Sequence, residues 1–463
     1  MRPGPRLPAP LNVLMVNTAQ TGGGAGRAGE VLAGALRRDG HRVGAYVRGS
    51  PEGHAHHRPA GHWRELRLAL AARALGFSDL LHLSSFLWPI RREFAAADVL
   101  HLHNLHGEYV SIAALPLWGR LKPLVWTLHD FWPLTGNCAT PRACPRWQRA
   151  CGQCPLLGVY PLTHVDRTRF YRRLKPGLFR AARPRLVTPS QWLADRVRKI
   201  PALRRLPLRV IRLAVDVDLF TPQADIPAAR RQLGLAPEWP TVLMSGNHWS
   251  DSLKGGDQAV AALRAARQQI PTLQLLVIGH QSETVLAASG LTGRAVPFLH
   301  DRTALARAYA CADLLLFPSR AENYPLTILE ALACGTPVVA YNVGGVPEQI
   351  EHERTGWVAR DGQPEELAAG VVRVARNPGA AREMGRRGRP FVVRTSSIAT
   401  VMAQYRDEYR RAIRVWCRRH GRTSPRFAPG PLSGWLCSKL GWPEPAADTF
   451  VAGVTAEPVG GRR

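Results

Sequence analysis

The fold of this 463-residue chain is decided by one stretch of sequence, Ala321-Glu322-Asn323-Tyr324-Pro325-Leu326-Thr327-Ile328-Leu329-Glu330. An apolar run at residues 312–319 comes before it, and a glycine turn at 334–337 leads into a second apolar run at 338–340. This order predicts a strand, a loop, a helix and a second strand of a parallel sheet. Open parallel sheets bind ligands at the carboxyl ends of their strands, so the loop that carries Glu322 is expected at a binding site.

Within this stretch, Pro325 suits the first position of the helix, where a missing N–H costs nothing. The free N–H groups near Leu326 and Thr327 would then lie on the same side as Glu322, and a helix N-terminus binds anions such as a diphosphate. Glu330 is more than one turn further along and could reach a hydroxyl-rich group such as a ribose. The alternative is an ordinary solvated helix start, because two glutamates at this spacing are common by chance.

The stretch resembles the signature of the retaining glycosyltransferases of family 4, in which seven residues separate two glutamates. The sequence that follows, residues 331–340 and then Gly344-Gly345-Val346-Pro347-Glu348, also matches that family. The resemblance covers roughly residues 11–415. It implies the GT-B fold, an α/β architecture of two Rossmann-like, doubly wound domains that face a cleft, with a C-terminal helix that packs back on the first domain.

The same resemblance implies roles for individual residues of the stretch. Glu322 would meet the donor sugar near its anomeric carbon, and Glu330 would meet the ribose of the nucleotide. The backbone of four residues would line the sugar and phosphate site: Asn323, Tyr324, Pro325 and Leu326.

The rest of the sequence alternates between apolar strand-like runs and amphipathic helical runs, as in α/β proteins. Residues 61–95 are predicted to be helical, amphipathic and basic, and they are the candidate for contact with a membrane or with the acceptor. We divide the chain as follows: a flexible leader at 1–10, an acceptor-side domain at 11–205, a nucleotide-sugar-binding domain at 206–397, a crossover helix at 398–419 and a weakly ordered tail at 420–463.

The composition restricts the partners. A net charge of +28 suggests nucleic acid or membrane. However, only five of the 62 basic residues are lysines, and the basic residues are spread along the chain. We therefore expect phosphate-bearing substrates or a mild affinity for anionic membranes, and no nucleic-acid partner. No secretory signal or membrane-spanning run is visible, so the protein is expected in the cytoplasm, with the inner face of the plasma membrane as a further expected location.

Two further features could bind the donor phosphates. Lys254 follows the first strand of the second domain and could neutralise a leaving diphosphate without a metal; the alternative is a surface lysine. Family members usually carry an arginine shortly before this lysine, but this chain has residues 246–250 there, of which Asn247 or His248 would have to substitute. In the first domain, Gly23 and Gly24 lie in a Gly-rich loop at 21–26, which lets a phosphate approach the backbone.

The resemblance implies that this Gly-rich loop faces the donor diphosphate, and a plain tight turn is the alternative. It also matches His129, at the end of a strand, to the histidine that the family places beside the donor sugar. A hydrogen-bonded strand-end histidine is the alternative there. His101, His103 and His106 cluster in the sequence like a metal site. Alternation places His101 and His103 on the same face of a strand, but no third ligand is evident beside them, and we interpret the three as cleft or core histidines.

Four cysteines form a cluster inside residues 138–154: Cys138, Cys144, Cys151 and Cys154. Four thiols this close in a reduced compartment predict a structural Zn²⁺ site, with buried free thiols or redox-prone pairs as the alternatives. A subset of family-4 enzymes that make bacterial exopolysaccharide of the colanic-acid type carries a similar insert, which the resemblance places over the acceptor side of the cleft. The transfer reaction itself is expected to need no cofactor.

These observations predict a retaining glycosyltransferase that moves a sugar from a nucleotide-diphosphate donor to a glycan or a lipid-linked saccharide, in the biosynthesis of bacterial exopolysaccharide or cell-surface polysaccharide. The first alternative is a catalytically degenerate GT-B protein that binds nucleotide or glycan, which the missing arginine favours. The others are a basic nucleic-acid-binding protein, for which no motif is present, and a nucleotide-sugar epimerase of the same fold.

Overall fold

The computed structural model describes residues 10–18, 23–47, 63–161 and 163–427. They form two compact units, each built on a six-stranded sheet. The first unit contains the described residues up to Thr188, then Ala194–Val210 and those from Met402 onward, and the second contains Pro189–Leu193 and Ile211–Val401. Residues 1–9 of the predicted leader and 428–463 of the predicted tail lie outside the described residues. No helix within these ranges is long and apolar enough to cross a membrane.

The first unit has a parallel sheet with strand order β2-β1-β3-β4-β5-β6. Its strands are β1 (Asn12–Asn17), β2 (Arg42–Val47), β3 (Val99–Leu102), β4 (Leu124–Thr127), β5 (Arg185–Thr188) and β6 (Leu208–Val210). The helices up to this point in the chain are α1 (Gly23–Arg38), α2 (Trp63–Ala74), α3 (Arg92–Ala96), α4 (Leu115–Leu121), α5 (Thr168–Ala182) and α6 (Gln191–Arg198). Strands β1, β3 and β4 are buried throughout, as expected for parallel strands covered on both faces.

The second unit has a parallel sheet with strand order β12-β11-β10-β7-β8-β9. Its strands are β7 (Thr241–His248), β8 (Gln274–His280), β9 (Thr292–Val296), β10 (Leu314–Phe317), β11 (Val338–Tyr341) and β12 (Gly356–Ala359). Its helices are α7 (Ile226–Gln232), α8 (Gly256–Gln269), α9 (Ser282–Ser289), α10 (Arg302–Cys311), α11 (Leu326–Ala333), α12 (Pro364–Ala375) and α13 (Pro378–Ser396). Strand β10, helix α11 and strand β11 are the predicted strand–loop–helix–strand unit, with Leu315 paired to Val338.

The last helix, α14 (Ile398–His420), corresponds to the predicted crossover helix. From Met402 onward it belongs to the first unit. Its Tyr405 hydroxyl lies 2.9 Å from Thr127 Oγ1 at the end of β4, and its Tyr409 hydroxyl lies 2.8 Å from His101 Nδ1 on β3. The C-terminal helix therefore packs on the first sheet, as the resemblance implied.

The division into units differs from the predicted boundaries at two places. Residues 206–210 belong to the first unit, because β6 is the edge strand of the first sheet. Residues 189–193 belong to the second unit, although β5, which directly precedes them, is a strand of the first sheet. Alternation of strands and helices does not reveal on which sheet a short connecting segment packs.

Two predicted segments differ from the structure in extent. Helix α1 begins at Gly23, within the residues 21–26 that were predicted as a Gly-rich loop, so Gly23 and Gly24 lie in its first turn. Of the predicted helical region 61–95, residues 61–62 lie outside the described part, and the rest is not helical throughout: α2 ends at Ala74, and a 3₁₀ helix (Leu83–Ile90) and α3 follow. The reason is Gly76, which adopts φ 76° and donates to Arg73 O while Phe77 N donates to Ala72 O, a Schellman motif that terminates α2.

Candidate functional site

The centre of the candidate site is the Glu322 carboxylate, in the loop between β10 and α11. Its Oε1 accepts hydrogen bonds from Lys254 Nζ at 2.8 Å and from Ser319 Oγ at 2.7 Å. The Glu322 charge raises the pKa of Lys254, so the ammonium stays protonated at neutral pH. Strands β7 and β10 are neighbours, and the loops at their carboxyl ends bring these two predicted site residues together. The structure thus forms a polar centre where parallel sheets bind ligands.

Glycines on either side hold this loop in place. Gly255 has φ 68°, and a Cβ there would lie 2.1 Å from Pro318 O. Gly344 has φ 60°, and a Cβ there would lie 1.6 Å from Glu322 O. Both positions combine a left-handed backbone with a contact that no side chain could enter, so glycine is required at each. Gly344 comes from the Gly-Gly segment that matched the family signature, and its place against Glu322 gives that match a physical reason.

Helix α11 starts one residue later than predicted. Pro325 is the N-cap, with φ −67° and ψ 131°, and not the first helical residue; Leu326 is the first. A proline with extended ψ cannot belong to the first turn, and Gln349 Nε2 holds its carbonyl at 3.0 Å. The N–H groups of Leu326 and Thr327 still have no acceptor within the helix, and the partial positive charge of the N-terminus suits an anion. Donor binding by these groups stays a prediction.

The side chains of Asn323 and Tyr324 make contacts within the second unit. Asn323 Oδ1 is bonded by the Ser190 hydroxyl. Tyr324 is 3% exposed, the Arg212 guanidinium lies 4.8 Å from its ring centre, and burial raises its pKa to about 12. The ring therefore packs as part of the core, and donor contacts of these two residues would come from the backbone, as the resemblance implied.

Glu330 lies in the interior of the second unit. Its side chain is 2% exposed, and the Tyr309 hydroxyl lies 3.2 Å from its Oε2. The Glu330 carboxylate is therefore much less exposed than Lys254, whose side chain is 37% exposed. Contact between Glu330 and a ribose stays a prediction, and a carboxylate can accept a ribose hydroxyl in addition to the Tyr309 hydroxyl.

Sequence reasoning assigned no role to several residues that shape this site. Ser319 bonds Glu322 directly. Glu348 accepts from the backbone N–H groups of Gln191 at 2.9 Å and Trp192 at 2.6 Å, and it pairs with Arg212. Glu348 thereby caps the first turn of α6. Its place in the family match was the one available signal, because these contacts join parts of the chain far apart in sequence.

An aromatic ladder was also missed. The His248 ring stacks on His280 with centroids 4.4 Å apart, His280 stacks on Phe298 at 5.9 Å, and His300 contacts Phe298 edge-on at 5.0 Å. These residues end or follow β7, β8 and β9, which are adjacent, so the ladder lies along the carboxyl edge of the sheet. The available signal was their position at strand ends. The His248 ring is engaged in this stacking, and Asn247 is exposed. That either residue takes the role of the missing arginine stays a prediction.

In the first unit, His129 lies next to two buried histidines, His101 and His103. His129 Nε2 lies 2.9 Å from His103 Nδ1, and His101 Nε2 lies 2.8 Å from Thr127 Oγ1. Burial lowers the pKa of His129 to about 4, that of His101 to about 3 and that of His103 well below its ordinary value. All three rings are therefore neutral at pH 7. His129 is a hydrogen-bonded strand-end histidine, and contact with a donor sugar stays a prediction.

A small cavity lies near His106 in the first unit. His106 is bonded to Asp130 Oδ2 at 2.9 Å and to the Tyr160 hydroxyl at 3.1 Å. Tyr160 lines a cavity of about 170 Å³, together with Asp79 and Glu108 among others. Although burial acts in the opposite direction, His106 holds the pKa of Asp130 below its ordinary value. The cavity has the size and the hydrogen-bonding groups to hold part of a small polar ligand.

Gly23 and Gly24 are exposed in the first turn of α1, and a Cβ at either would meet nothing within 4 Å. At Gly24 the surrounding chain leaves room for a side chain, whereas Gly23 has φ 62°, a left-handed backbone conformation that favours glycine. This leaves the N-terminus of α1 open to a ligand, but residues 19–22 of the loop before it lie outside the described part. Binding of the donor diphosphate here stays a prediction.

The four clustered cysteines surround one small cavity in the first unit: Cys138, Cys144, Cys151 and Cys154. All four are free thiols, and burial raises the pKa of Cys138 to about 11 and also raises the pKa of Cys151 and Cys154. Among the described residues, no three or more His, Cys, Asp or Glu side chains are arranged to hold a metal ion. The structural zinc therefore gains no support from this arrangement and stays a prediction.

Comparison with known proteins identifies the family. The profile of "Glycosyl transferases group 1" matches residues 239–377, and that of "Glycosyltransferase Family 4" matches residues 22–219. The putative colanic acid biosynthesis glycosyl transferase WcaC of Escherichia coli (strain K12) is 29% identical over 359 residues, 74% of this chain and 85% of that protein. The D-inositol 3-phosphate glycosyltransferase of Actinosynnema mirum is 33% identical over 344 residues, 70% of this chain and 76% of that protein.

Among solved structures, HepE from Anabaena in complex with UDP superposes with a TM-score of 0.60 at 17% identity, covering 87% of this chain and 100% of that one. At this identity the likeness shows the fold. The polar centre around Glu322, the two parallel sheets and the sequence matches agree, and the chain belongs to glycosyltransferase family 4, with the GT-B fold.

Proposed function

We propose that this glycosyltransferase moves a sugar from a nucleotide-diphosphate donor, with retention of configuration, to a saccharide acceptor in the synthesis of a bacterial exopolysaccharide or cell-surface polysaccharide. The observation that carries the proposal is the Lys254–Glu322–Ser319 centre at the N-terminus of α11. The colanic-acid name of the Escherichia coli relative supports a polysaccharide product. The UDP bound to HepE makes uridine diphosphate sugars the first donors to test.

The departing diphosphate would be stabilised by Lys254 and by the N–H groups of Leu326 and Thr327. An ammonium has three N–H donors, so Lys254 can keep its bond to Glu322 and still bind a phosphate oxygen. A positive charge and oriented N–H donors stabilise the negative charge that develops on the leaving group, and no metal is needed for this. The diphosphate could then accept the proton of the acceptor hydroxyl on the same face of the sugar.

Glu322 would act on the opposite charge, the positive charge that develops at the anomeric carbon. Lys254 and Ser319 both bond Oε1, so they fix the direction of the carboxylate before the donor binds. A preorganised carboxylate stabilises developing positive charge without the cost of reorienting water. For His129 the proposal rests on the family resemblance: a neutral imidazole can hydrogen-bond a sugar hydroxyl without adding charge.

The acceptor would be a glycan or a lipid-linked saccharide, and we assign one of its sugars to the cavity beside Tyr160. Asp79, Glu108 and Asn137 in its lining can bond sugar hydroxyls, and an aromatic ring suits a sugar face.

The enzyme would also contact an anionic membrane from the cytoplasmic side. Support comes from four large apolar side chains that are 38–58% exposed in the first unit: Leu70, Leu75, Leu83 and Phe86.

The experiment that tests the donor site combines binding with turnover. Thermal unfolding against UDP, GDP and ADP should show stabilisation by one nucleotide, and a ligand at a hundred times its Kd adds about 2.7 kcal/mol. Glu322→Ala should then lose most of its transfer and donor-hydrolysis activity while its melting temperature stays near that of the wild type. Glu351→Ala, which removes an exposed carboxylate in an ion pair with Arg354, is the matched control and should remain active.

Normal activity of Glu322→Ala would refute the role of this carboxylate. A catalytically degenerate protein is the second candidate, favoured by the missing arginine before Lys254. It predicts stabilisation by a nucleotide without transfer or donor hydrolysis at any enzyme concentration, whereas detectable turnover would exclude it.

A further inference from the structure

A large cavity lies at the amino ends of the strands of the second sheet, whereas Lys254 and Glu322 lie at the carboxyl ends. Its floor is formed by residues that directly precede strands: Pro240 before β7, Asp313 before β10 and Pro337 before β11. Lys254 and Glu322 instead follow the carboxyl ends of β7 and β10, so the cavity and the proposed donor site lie at opposite ends of the strands of the same sheet. The cavity measures about 1160 Å³, somewhat more than the roughly 300–1,000 Å³ of ordinary ligand pockets.

The walls of this cavity are mostly apolar. Helix α7 and the segment before it contribute Ile226 and Pro222, and helix α13 contributes Ala381 and Val393. Seven of the lining residues are prolines, which have no backbone N–H to offer to a polar ligand. Val393 is 39% exposed, although it is a large apolar side chain within a folded unit. A ligand with an apolar body would remove this surface from water.

Positive charge is concentrated on one wall. Arg382, Arg386 and Arg389 line the cavity from α13, spaced so that they share one face of the helix with Val393. Arg389 donates to the carbonyl oxygens of Phe220 at 2.9 Å and Val217 at 3.0 Å, and to that of Ala333. Carbonyl groups fix the position of this guanidinium but do not neutralise its charge.

The other charges in the lining leave an excess of arginine. Arg230 is neutralised by Asp313, with Nη2 and Oδ2 2.7 Å apart. Arg386 pairs with Glu383, and Arg382 donates to Pro378 O at 3.3 Å. Glu238 is the other carboxylate of the lining residues. An apolar chamber with arginines along one wall is complementary to a molecule that has an apolar chain and an anionic group.

We propose that this cavity binds a single-chain anionic amphiphile, with its chain between the prolines and Val393 and its anionic group at Arg382 and Arg389. Such a ligand would occupy the second unit independently of the nucleotide donor. The site would let the enzyme respond to, or be retained by, a phosphate- or carboxylate-bearing lipid.

Isothermal titration calorimetry of the full chain with decyl phosphate, below its critical micelle concentration, tests the proposal. Saturable binding is expected, and each methylene buried from water should improve affinity roughly fourfold, so decyl phosphate, with two more methylenes, should bind about fifteenfold more tightly than octyl phosphate. Inorganic phosphate alone and decyl maltoside are the two comparison ligands. Equal affinity for inorganic phosphate, equal affinity for the uncharged maltoside, or no binding of decyl phosphate would each overturn the proposal.

Variants locate the binding site. Arg389→Gln should weaken decyl phosphate binding about tenfold, whereas Arg394→Gln, on the same helix but outside the cavity lining, should leave it unchanged. Arg389 also bonds three carbonyls, so Val393→Asp, at an exposed position, provides a second variant that should fold and lose binding. Wild-type affinity in Val393→Asp, or loss of binding in Lys254→Met or in excess UDP, would place the ligand elsewhere and refute the assignment.

Discussion

Replacing Lys254 by methionine removes one charge and keeps most of the side-chain volume. Its Nζ lies 2.8 Å from Glu322 Oε1. At that distance the bare Coulomb attraction is about 6 kcal/mol at an effective dielectric constant near 20. The Lys254 side chain is 37% exposed, so solvent screens most of this energy. Measured pairs of this exposure contribute about 0.2–1 kcal/mol to stability.

The effect on turnover should be much larger. The substitution leaves the Ser319 bond to Glu322 in place, so the loop should keep its conformation. The melting temperature should fall by about 2–4 °C, as expected for 1 kcal/mol in a unit of this size. Loss of a group that stabilises the leaving diphosphate costs about 10²–10³ in kcat, by comparison with the removal of a single oxyanion-hole donor. The kinetic loss therefore exceeds the loss of stability several-fold in free energy.

The assay is the initial rate of transfer with the donor that thermal unfolding selects, measured beside a melting curve. Arg354→Met is the matched control, since it removes a cation that pairs with Glu351 at 2.6 Å on the surface of the same unit. The control should keep its rate within about twofold. A Lys254→Met enzyme that loses less than tenfold in kcat would refute stabilisation of the diphosphate by this ammonium. A melting temperature lowered by more than 10 °C would show that the rate reports unfolding instead.

Three further outcomes are expected. Gly344→Ala should destabilise the second unit by about 2–4 kcal/mol in urea unfolding, because its Cβ would overlap Glu322 O. Gly24→Ala, where a Cβ meets no atom, should leave the free energy of unfolding nearly unchanged. Equal stability of the two variants would contradict the packing argument. His129 binds a proton below about pH 6.5 in the unfolded chain, but only near pH 4 in the folded chain. The free energy of unfolding should therefore fall as the pH falls from 6.5 to 4, by up to about 1.4 kcal/mol per pH unit, and His129→Gln should reduce this slope. An unchanged slope in this variant would argue against a neutral, desolvated ring at this position. The zinc prediction requires about one equivalent of zinc per chain, lost in Cys151→Ser, in elemental analysis of protein purified without chelator; a metal-free wild type would reject it.

The fold could be predicted because its signals are local. Apolar runs of strand length, amphipathic helices and the glycine turn at 334–337 each act over a few residues, and the family resemblance supplied their arrangement. The extents of α1 and α2 were less accessible. They depend on single backbone events, such as the left-handed turn at Gly76, that compete with an otherwise continuous helical pattern.

The site was predictable only in part, because its bonds cross the chain. Lys254 and Glu322 are 68 residues apart, and they meet because β7 lies next to β10, an order that periodicity cannot reveal. The same holds for the cap that Glu348 provides to α6. For Glu330, the position in a helix was predicted correctly. Its hydrogen bond to Tyr309 was not, because Tyr309 belongs to another helix.

The segment before Lys254, where the family resemblance places an arginine, instead contains a buried tryptophan. Trp249 occupies this segment, 8% exposed, and its Nε1 donates to Ile278 O at 3.1 Å. Its ring fits because Gly246 and Gly279 have no side chains; a Cβ at either would lie 3.0 or 3.1 Å from the ring. Trp249 is therefore committed to packing, whereas its neighbours Asn247, His248 and Ser250 are exposed and do not take part in this contact. If Lys254 is the cation of the proposed donor site, its replacement should fall at the upper end of the expected loss in kcat.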